Sequence, residues 1–427
     1  MRNNTGSLNY LNRDFFSIKN SLLDFIKIYY PDQYSDFSEA SIGMMLVELN
    51  AYVADLLSYH VDQKANELFL SSAKERNSVI NIAENLGYFV KGKKASITLL
   101  DVSIVVPVLN TAPNPNYLVS LKKGFQAKTQ NNSYFEVLEN IDFNSDYNLS
   151  GTKNRTIVPN YNSSNEIVNY TITKSVVARA GKTLTETLQL TSSNVKPFLE
   201  WKLLDDSVVE IISVVDSSLS TAPVAEEDWS DYSATNNEWF QVDYLAQNSR
   251  FIDTSAGQTG QTRSGYWKSV DRRFIVKFDE FGFAKLVFGA GTENFDLYDE
   301  WLQNGSAAIV NMAKLLDSTV LGVMPPVGKY LHVKYRSGGG VLSNAPVNSI
   351  KTIVSKDLYY APPGGSFTIL NQAINSITCN NPIPAIGGGD LATTDEIRNI
   401  AAKYYASQER CVTLEDYLAR IYSMPSQ

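Results

Sequence analysis

Cysteine and histidine are almost missing from this 427-residue sequence. Cys379 and Cys411 are its only cysteines, so no disulfide framework and no multi-cysteine zinc site holds the chain together. With His60 and His332 as the only histidines, metal centres and histidine-dependent catalysis have few residues to draw on. A basic excess is lacking too. Against 45 Asp and Glu stand 37 Lys and Arg, a formal charge of −8, which argues against nucleic acid as the main partner. The longest apolar stretch, Ile97 to Val108, is broken by Asp101 and Pro107, and the opening MRNNTGSLNYLNRDFF lacks the basic-then-apolar pattern of a secretory signal. The expectation is a chain made in a cytoplasm that does not span a membrane.

What is present is enough apolar residue, 44%, for sizeable cores, in a chain long enough for two to four domains. Only 19% of residues are charged while Tyr, Asn, Ser and Thr are plentiful, a surface suited to extensive docking.

From Phe15 to Leu86 the periodicity is helical. Phe15, Ile18, Leu22, Phe25 and Ile26 form one stripe that stops at Pro31. A second helix is predicted to begin near Ser38 or Ser41, both good N-caps. A third segment, SSAKERNSVINIAENLGY, ends on Gly87, suited to the left-handed position after a helix. In the second helix Ile42, Met45, Leu49, Tyr52, Leu56 and Tyr59 repeat at alternating steps of three and four, the seam of a coiled coil or bundle, with Leu46, Val53 and Leu57 beside it. Such a helix does not hold itself in water and must be packed by others. Two arrangements satisfy it: a bundle private to this chain, or packing between chains.

After Ala95 the character becomes β-rich. SITLLDVSIVV, TLTETLQL and SVVEIISVV read as strands, separated by polar stretches such as LNTAPNPNY and PNYNSSNEI. Further on, GKYLHVKYRSGG reads as a strand entering a glycine-rich turn, and TTDEIRNIAAKYYASQ and TLEDYLARIYS read as helices. Thr393 with Glu396, and Thr413 with Asp416, have capping-box spacing. The fold expected is a multidomain α+β protein: residues 1–94 an N-terminal helical bundle segment, 95–291 a β-rich domain with long polar loops, and 292–427 a mixed α/β part.

The motifs that hint at chemistry fail on inspection. ARAGKT lacks the earlier glycine of a phosphate loop, having Val176 there, and is read as a hairpin turn around Gly181. DFNSDYN sets Asp142, Asn144 and Asp146 at the first ligand positions of a calcium loop, but Tyr147 takes the glycine position and Lys153 the closing glutamate position, so a polar surface loop is expected. FGAG, residues 288–291, lacks the third glycine of a dinucleotide site and reads as a tight turn. His60 and His332 are expected to be structural. No catalytic, cofactor-binding or metal-binding residue is assigned.

Two separated stretches carry a family likeness. The block LNRDFFSIKN…DFSEASIGMMLVELNAYVADLLSYHVDQKANELF…ENLGY resembles the opening of the baseplate wedge protein of T-even-like contractile-tailed phages. VKYRSGGG, followed by PIPAIGGGDLATTDEIRNIAAKYYASQERCVTLEDYLARIYSMP, is similar to the signature of the wider baseplate J-like family. Together the two stretches cover roughly a third of the chain, in matching order. The resemblance implies a non-enzymatic structural subunit of the baseplate in the virion tail, assembled in the host cytoplasm. Such a subunit joins wedges around the hub and rearranges when the sheath contracts. Implied partners are a second copy of the chain, a smaller baseplate wedge subunit, neighbouring wedges, and sheath-initiating and hub proteins, with no nucleic acid, membrane or cofactor. It also turns Ile42, Met45, Leu49, Tyr52, Leu56 and Tyr59 into interface candidates. Two departures stand out. Ala290 sits where the family often has Asp, and wedge-type relatives continue beyond the position of YSMP into a further domain, so either such a domain is missing here or ring contacts are made differently. The Asn/Ser-rich β middle leaves a receptor-binding or adhesin-like tail component as the rival reading; a cell-wall hydrolase has no positive support in the sequence.

Overall fold

The computed structural model describes residues 14–38, 40–148, 151–222, 237–253, 265–291, 321–408 and 410–423. The first residues of the N-terminal block, the head of the third block at 292–320, and the end of YSMP lie outside the described residues. Among the described residues the α-helices are α1 (Phe15–Tyr29), α2 (Ile42–Asn66), α3 (Arg76–Asn85), α4 (Phe367–Asn375), α5 (Thr394–Ser407) and α6 (Leu414–Ser423); the other elements are β-strands and two short 3-10 helices, Pro115–Tyr117 and Val341–Ser343, an α+β architecture.

The chain packs as two compact units, residues 1–88 with 393–423, and residues 89–392. These bounds cut across the three consecutive blocks expected from composition. Composition changes where local periodicity changes, whereas a unit is set by which distant segments pair.

In the first unit the caps are those the sequence spells. Ser41 opens α2 by accepting the Met44 amide at 3.1 Å. Helix α3 ends in a Schellman motif: Gly87, at φ 87°, donates to Glu84 O and Tyr88 donates to Ala83 O, both at 2.9 Å. At α5 both arms of the Thr393–Glu396 capping box form, and at α6 Thr413 and Asp416 exchange the equivalent bonds. Val79, Ile80 and Ala83 of α3 are buried, as are Ile397 and Ala401 of α5 and Ala419 of α6.

The second unit has two main sheets. In the first, β1 (Ile97–Leu109) pairs antiparallel with β8 (Ile167–Ala180), from Ile97 opposite Arg179 to Pro107 opposite Asn169. Period-two alternation puts Leu100, Val102, Ile104 and Val106 on the fully buried face. The other edge of β8 is shared by β7 (Arg155–Tyr161) and β5 (Tyr134–Val137); β2 (Ala112–Pro113), β4 (Gln126–Thr129), β18 (Ile350–Ser355) and β20 (Thr378–Asn380) complete the sheet. The second sheet runs β10 (Glu200–Lys202), β16 (Ala284–Phe288), β15 (Arg273–Phe278), β12 (Glu238–Gln241), β11 (Val208–Ser217), β17 (Tyr330–Ser337), β9 (Lys182–Gln189), over a core that includes Trp201, Trp239, Phe274, Phe288 and Tyr335. Small additions are the sheet β19 (Leu358–Tyr360), β3 (Ser120–Leu121), β6 (Ile141–Asp142) and the hairpin β13 (Ser249–Asp253), β14 (Gly265–Ser269).

Gly181 does not make the hairpin expected from the sequence. Strand β8 belongs to the first sheet, while β9 pairs only with β17 in the second, so Gly181 is a corner at which one continuous extended run changes sheets. Alternating residues on both sides of a glycine look the same in either case; only the pairing tells them apart. The corner is crowded. At φ 120°, a Cβ on Gly181 would lie 2.8 Å from both Arg336 Cγ and the Ser337 carbonyl. Beside it Glu136 of the first sheet accepts the Thr183 amide and hydroxyl of the second, each at 2.7 Å, and Arg179 of the first pairs with Glu210 of the second at 2.7 Å. Pairs of this kind, with Glu136 and Arg179 buried, join the two sheets at little net gain in stability.

Gly181→Ala is expected to lower stability of the β unit by about 2–5 kcal/mol, strain plus overpacking. Gly124→Ala, also at positive φ but with nothing within 4 Å of the added carbon, should cost only about 1–2 kcal/mol. Urea unfolding of the two variants checks the difference; equal losses would mean that the crowding does not matter.

Candidate interaction surface

Helix α2 is held on one side by α1. Lys19 of α1 pairs with Glu48 at 2.6 Å. The Tyr34 ring, its hydroxyl 3.1 Å from the Ser41 capping oxygen, lies against Gly43 so closely that a Cβ there would fall 2.3 Å from the ring. The residues of α2 that become buried are Met44, Val47 and Ala51, spaced by three and four along one narrow face.

The seam read from the sequence is a different face, and it points outward. Ile42, Met45, Leu49, Tyr52, Leu56 and Tyr59 lie together along α2, and all are exposed, from 45% at Leu56 to 75% at Ile42. Leu46, Val53, Leu57 and Val61 of the same helix are exposed as well, as are Leu68 and Phe69 in the turn beyond it. A scattered exposed leucine needs no explanation; a continuous apolar stripe along a helix does. The described helices of the chain leave this stripe uncovered. Down one flank run Glu48, Asp55 and Asp62, seven residues apart.

The turn that ends α2 is locked from both polarities. The Glu67 carboxylate accepts the amides of Lys74 at 2.9 Å and Glu75 at 3.1 Å. The Arg398 guanidinium, from α5, donates to the carbonyls of Leu70 at 2.7 Å and Ala73 at 2.8 Å. The Lys74 amide, with the Glu75 amide and the Ser78 hydroxyl, holds the Glu67 carboxyl below the ordinary value despite the desolvation that opposes it. Sequence reasoning missed Arg398 because nothing local marks an arginine as the cap of a turn more than three hundred residues earlier.

A second apolar stripe also went unassigned. On α6, Leu414, Tyr417, Leu418 and Ile421 are exposed at helical spacing, with Val412 just before them. The spacing i, i+3, i+4, i+7 was the available signal.

The residues weighed for chemistry are tied into structure. His332 is fully buried. Its Nε2 donates to Leu219 O at 3.1 Å, leaving Nδ1 to accept the Thr187 hydroxyl at 2.8 Å, and burial pushes its pKa down. His60 is exposed on α2. A cleft over the Gly181 corner is lined by Asp205 and Asp206, but Asp205 accepts the Ser207 amide at 2.7 Å and the Ser337 hydroxyl at 2.6 Å, and Asp206 accepts the Ser207 hydroxyl at 2.8 Å. FGAG does not close on itself as the tight turn expected: Phe288 ends β16, and the Gly291 amide donates to the distant Gly322 O at 3.1 Å. Among the described residues no group of three or more His, Cys, Asp or Glu could hold a metal ion, and no helix is long and apolar enough to cross a membrane.

Residues 15–85 match the family described as bacteriophage baseplate protein, N-terminal domain. The matched span takes in α1, α2 and α3, and with them the whole exposed seam. A chain in a solved type VI secretion system TssK–TssF–TssG baseplate subcomplex is similar over 89% of this chain and 81% of that one, at 8% identity and a TM-score of 0.30, a value too low to establish a shared fold. No curated protein matches the sequence. The chain thus carries a baseplate-type N-terminal domain whose long helix presents an apolar seam to solvent.

The contribution of Glu67 is fully present above the ordinary glutamate value of 4.5 and is lost as pH falls through its depressed folded value. Hydrogen exchange at the Lys74 and Glu75 amides should therefore lose protection on acidification below about 4.5. In Glu67→Gln protection should be weaker at neutral pH and should not change further across that range.

Proposed function

We propose that this chain is a structural subunit of the baseplate wedge of a contractile tail, held in the virion by helix packing between subunits. The observation that carries the reading is the exposed seam Ile42, Met45, Leu49, Tyr52, Leu56 and Tyr59, lying inside the span that matches the baseplate N-terminal domain. At 25 residues α2 is about 37 Å long, enough for several heptads of knobs-into-holes contact.

The arc formed by the seam with Leu46, Val53 and Leu57 is wide enough for two neighbours. A second copy of this chain and a smaller wedge subunit fill these places in the proposal.

Neighbouring wedges and the hub and sheath-initiating proteins meet the remaining surfaces, and sheath contraction exchanges one set of these contacts for another. The role is non-catalytic: the subunit works by being covered, and binding rather than bond-making is what its exposed apolar residues supply.

In the doubly substituted Leu49→Asp, Leu56→Asp chain, both changes fall on exposed positions, so the isolated protein should keep its unfolding free energy within about 0.5 kcal/mol. Co-purification with co-expressed wedge partners should be lost. Assembly that survives both aspartates would sink the proposal, and so would unfolding of the isolated chain, which would mean that the seam belongs to a private core.

A further inference from the structure

Strands β7 and β8 set Arg155 and Lys174 directly opposite one another. Like charges at facing positions destabilise a sheet, and Lys174 is only 2% exposed, so water does not relieve them. The compensation comes from the loop between β6 and β7. Lys174 Nζ donates to the carbonyls of Ser145 at 2.8 Å and Tyr147 at 3.2 Å and to Asn154 Oδ1 at 2.7 Å. Arg155 Nη1 donates to the Asn144 carbonyl at 2.8 Å and to Asp146 Oδ1 at 3.0 Å. Five oxygens of one loop therefore converge on two side-chain cations.

This is the loop whose Asp142, Asn144 and Asp146 have the spacing of calcium ligands. Asp142 Oδ1 is engaged by the Ser120 hydroxyl at 2.9 Å and the Asn144 amide at 2.9 Å, and Asp146 by Arg155, so the carboxylates organise the loop from outside while carbonyl and amide oxygens line its centre. Main-chain carbonyls and an Asn oxygen are hard neutral donors of the kind that surround calcium. Here they surround an ammonium.

We infer that Lys174 is the resident cation of this loop, standing where comparable oxygen-lined loops hold a metal ion, and that the cage is a latent site for a divalent cation of the calcium class once the ammonium is removed. The consequence for the native chain is a loop that keeps its shape at any divalent-ion concentration. Burial, the largest effect, and the neighbouring Arg155 depress the Lys174 pKa, with the charges of Asp142, Glu139 and Asp146 opposing them.

The test uses the full chain, calcium chloride as the probe, and limited proteolysis with the cut sites mapped across residues 143–154. The wild-type loop should be cut slowly, at a rate unchanged by calcium or EDTA. Loss of the charge-assisted bonds should make Lys174→Ala open and be cut about 10- to 100-fold faster, with millimolar calcium restoring protection and binding heat appearing in calorimetry. Lys174→Met, which fills the space without charge, should be cut as fast and not be rescued. A Lys174→Ala loop as resistant as the wild type overturns the inference, as does one that opens but gains nothing from calcium, or a wild-type loop that responds to EDTA. If Lys174→Ala does not fold, Asn154→Leu in the native background removes one cage oxygen; cleavage should rise about tenfold, and an unchanged rate overturns the inference equally.

Discussion

Helix α2 is longer than the helix set beside it. Its 25 residues run about 37 Å, against about 22 Å for the 15 residues of α1, and its last buried residue is Ala51. Beyond that point the helix carries Leu56, Leu57, Tyr59 and Val61 into solvent. Most helical stability in proteins comes from packing an apolar face, so a helix whose apolar stripe the described helices leave in solvent is unfinished until something covers it. The proposed role in a wedge follows from that mismatch, and so does the importance of the turn after Asn66, where Glu67 and Arg398 hold the base of the projecting helix.

The β unit solves the opposite problem, bringing distant segments so close that a Cβ would clash at Gly181, Gly338, Gly339, Gly340 and Gly388. Gly338–Gly340 and Gly387–Gly389 meet across Lys94: Lys94 donates to Gly389 O at 2.8 Å, and Gly340 donates to Lys94 O at 3.0 Å. A Cβ on Gly340 would lie 2.6 Å from Asp390 Oδ1, and one on Gly338 would lie 2.6 Å from the Cα of Gly181. The glycine runs of VKYRSGGG and GGGD, read in the sequence as separate pieces, are two sides of one junction. Around it Glu136, Arg179, Glu210 and Arg336 pair across the sheets, so the corner is held by charge as well as by close packing.

Arg155, Lys174 and His332 illustrate a common theme in this chain. Each is a polar or charged side chain that in another setting serves binding or catalysis, and each is spent on ordering backbone or neighbouring side chains.

Local features were legible in the sequence because their causes are local. The cap at Ser41, the left-handed Gly87, the capping boxes at Thr393 and Thr413, and the alternation of β1 all depend on residues a few positions apart, and they stand where the spacing put them. Tertiary structure alone decided the rest. Whether Gly181 turns back or changes sheets depends on which strand arrives beside β9, and that strand lies some 150 residues on. Whether the calcium-like loop holds a metal or an ammonium depends on Lys174 reaching in from β8. That α2 has an apolar seam is written in its three-four repeat, but which of its faces the chain buries is not. Burial is a property of pairs of surfaces, and the second surface is supplied by residues the local pattern does not contain.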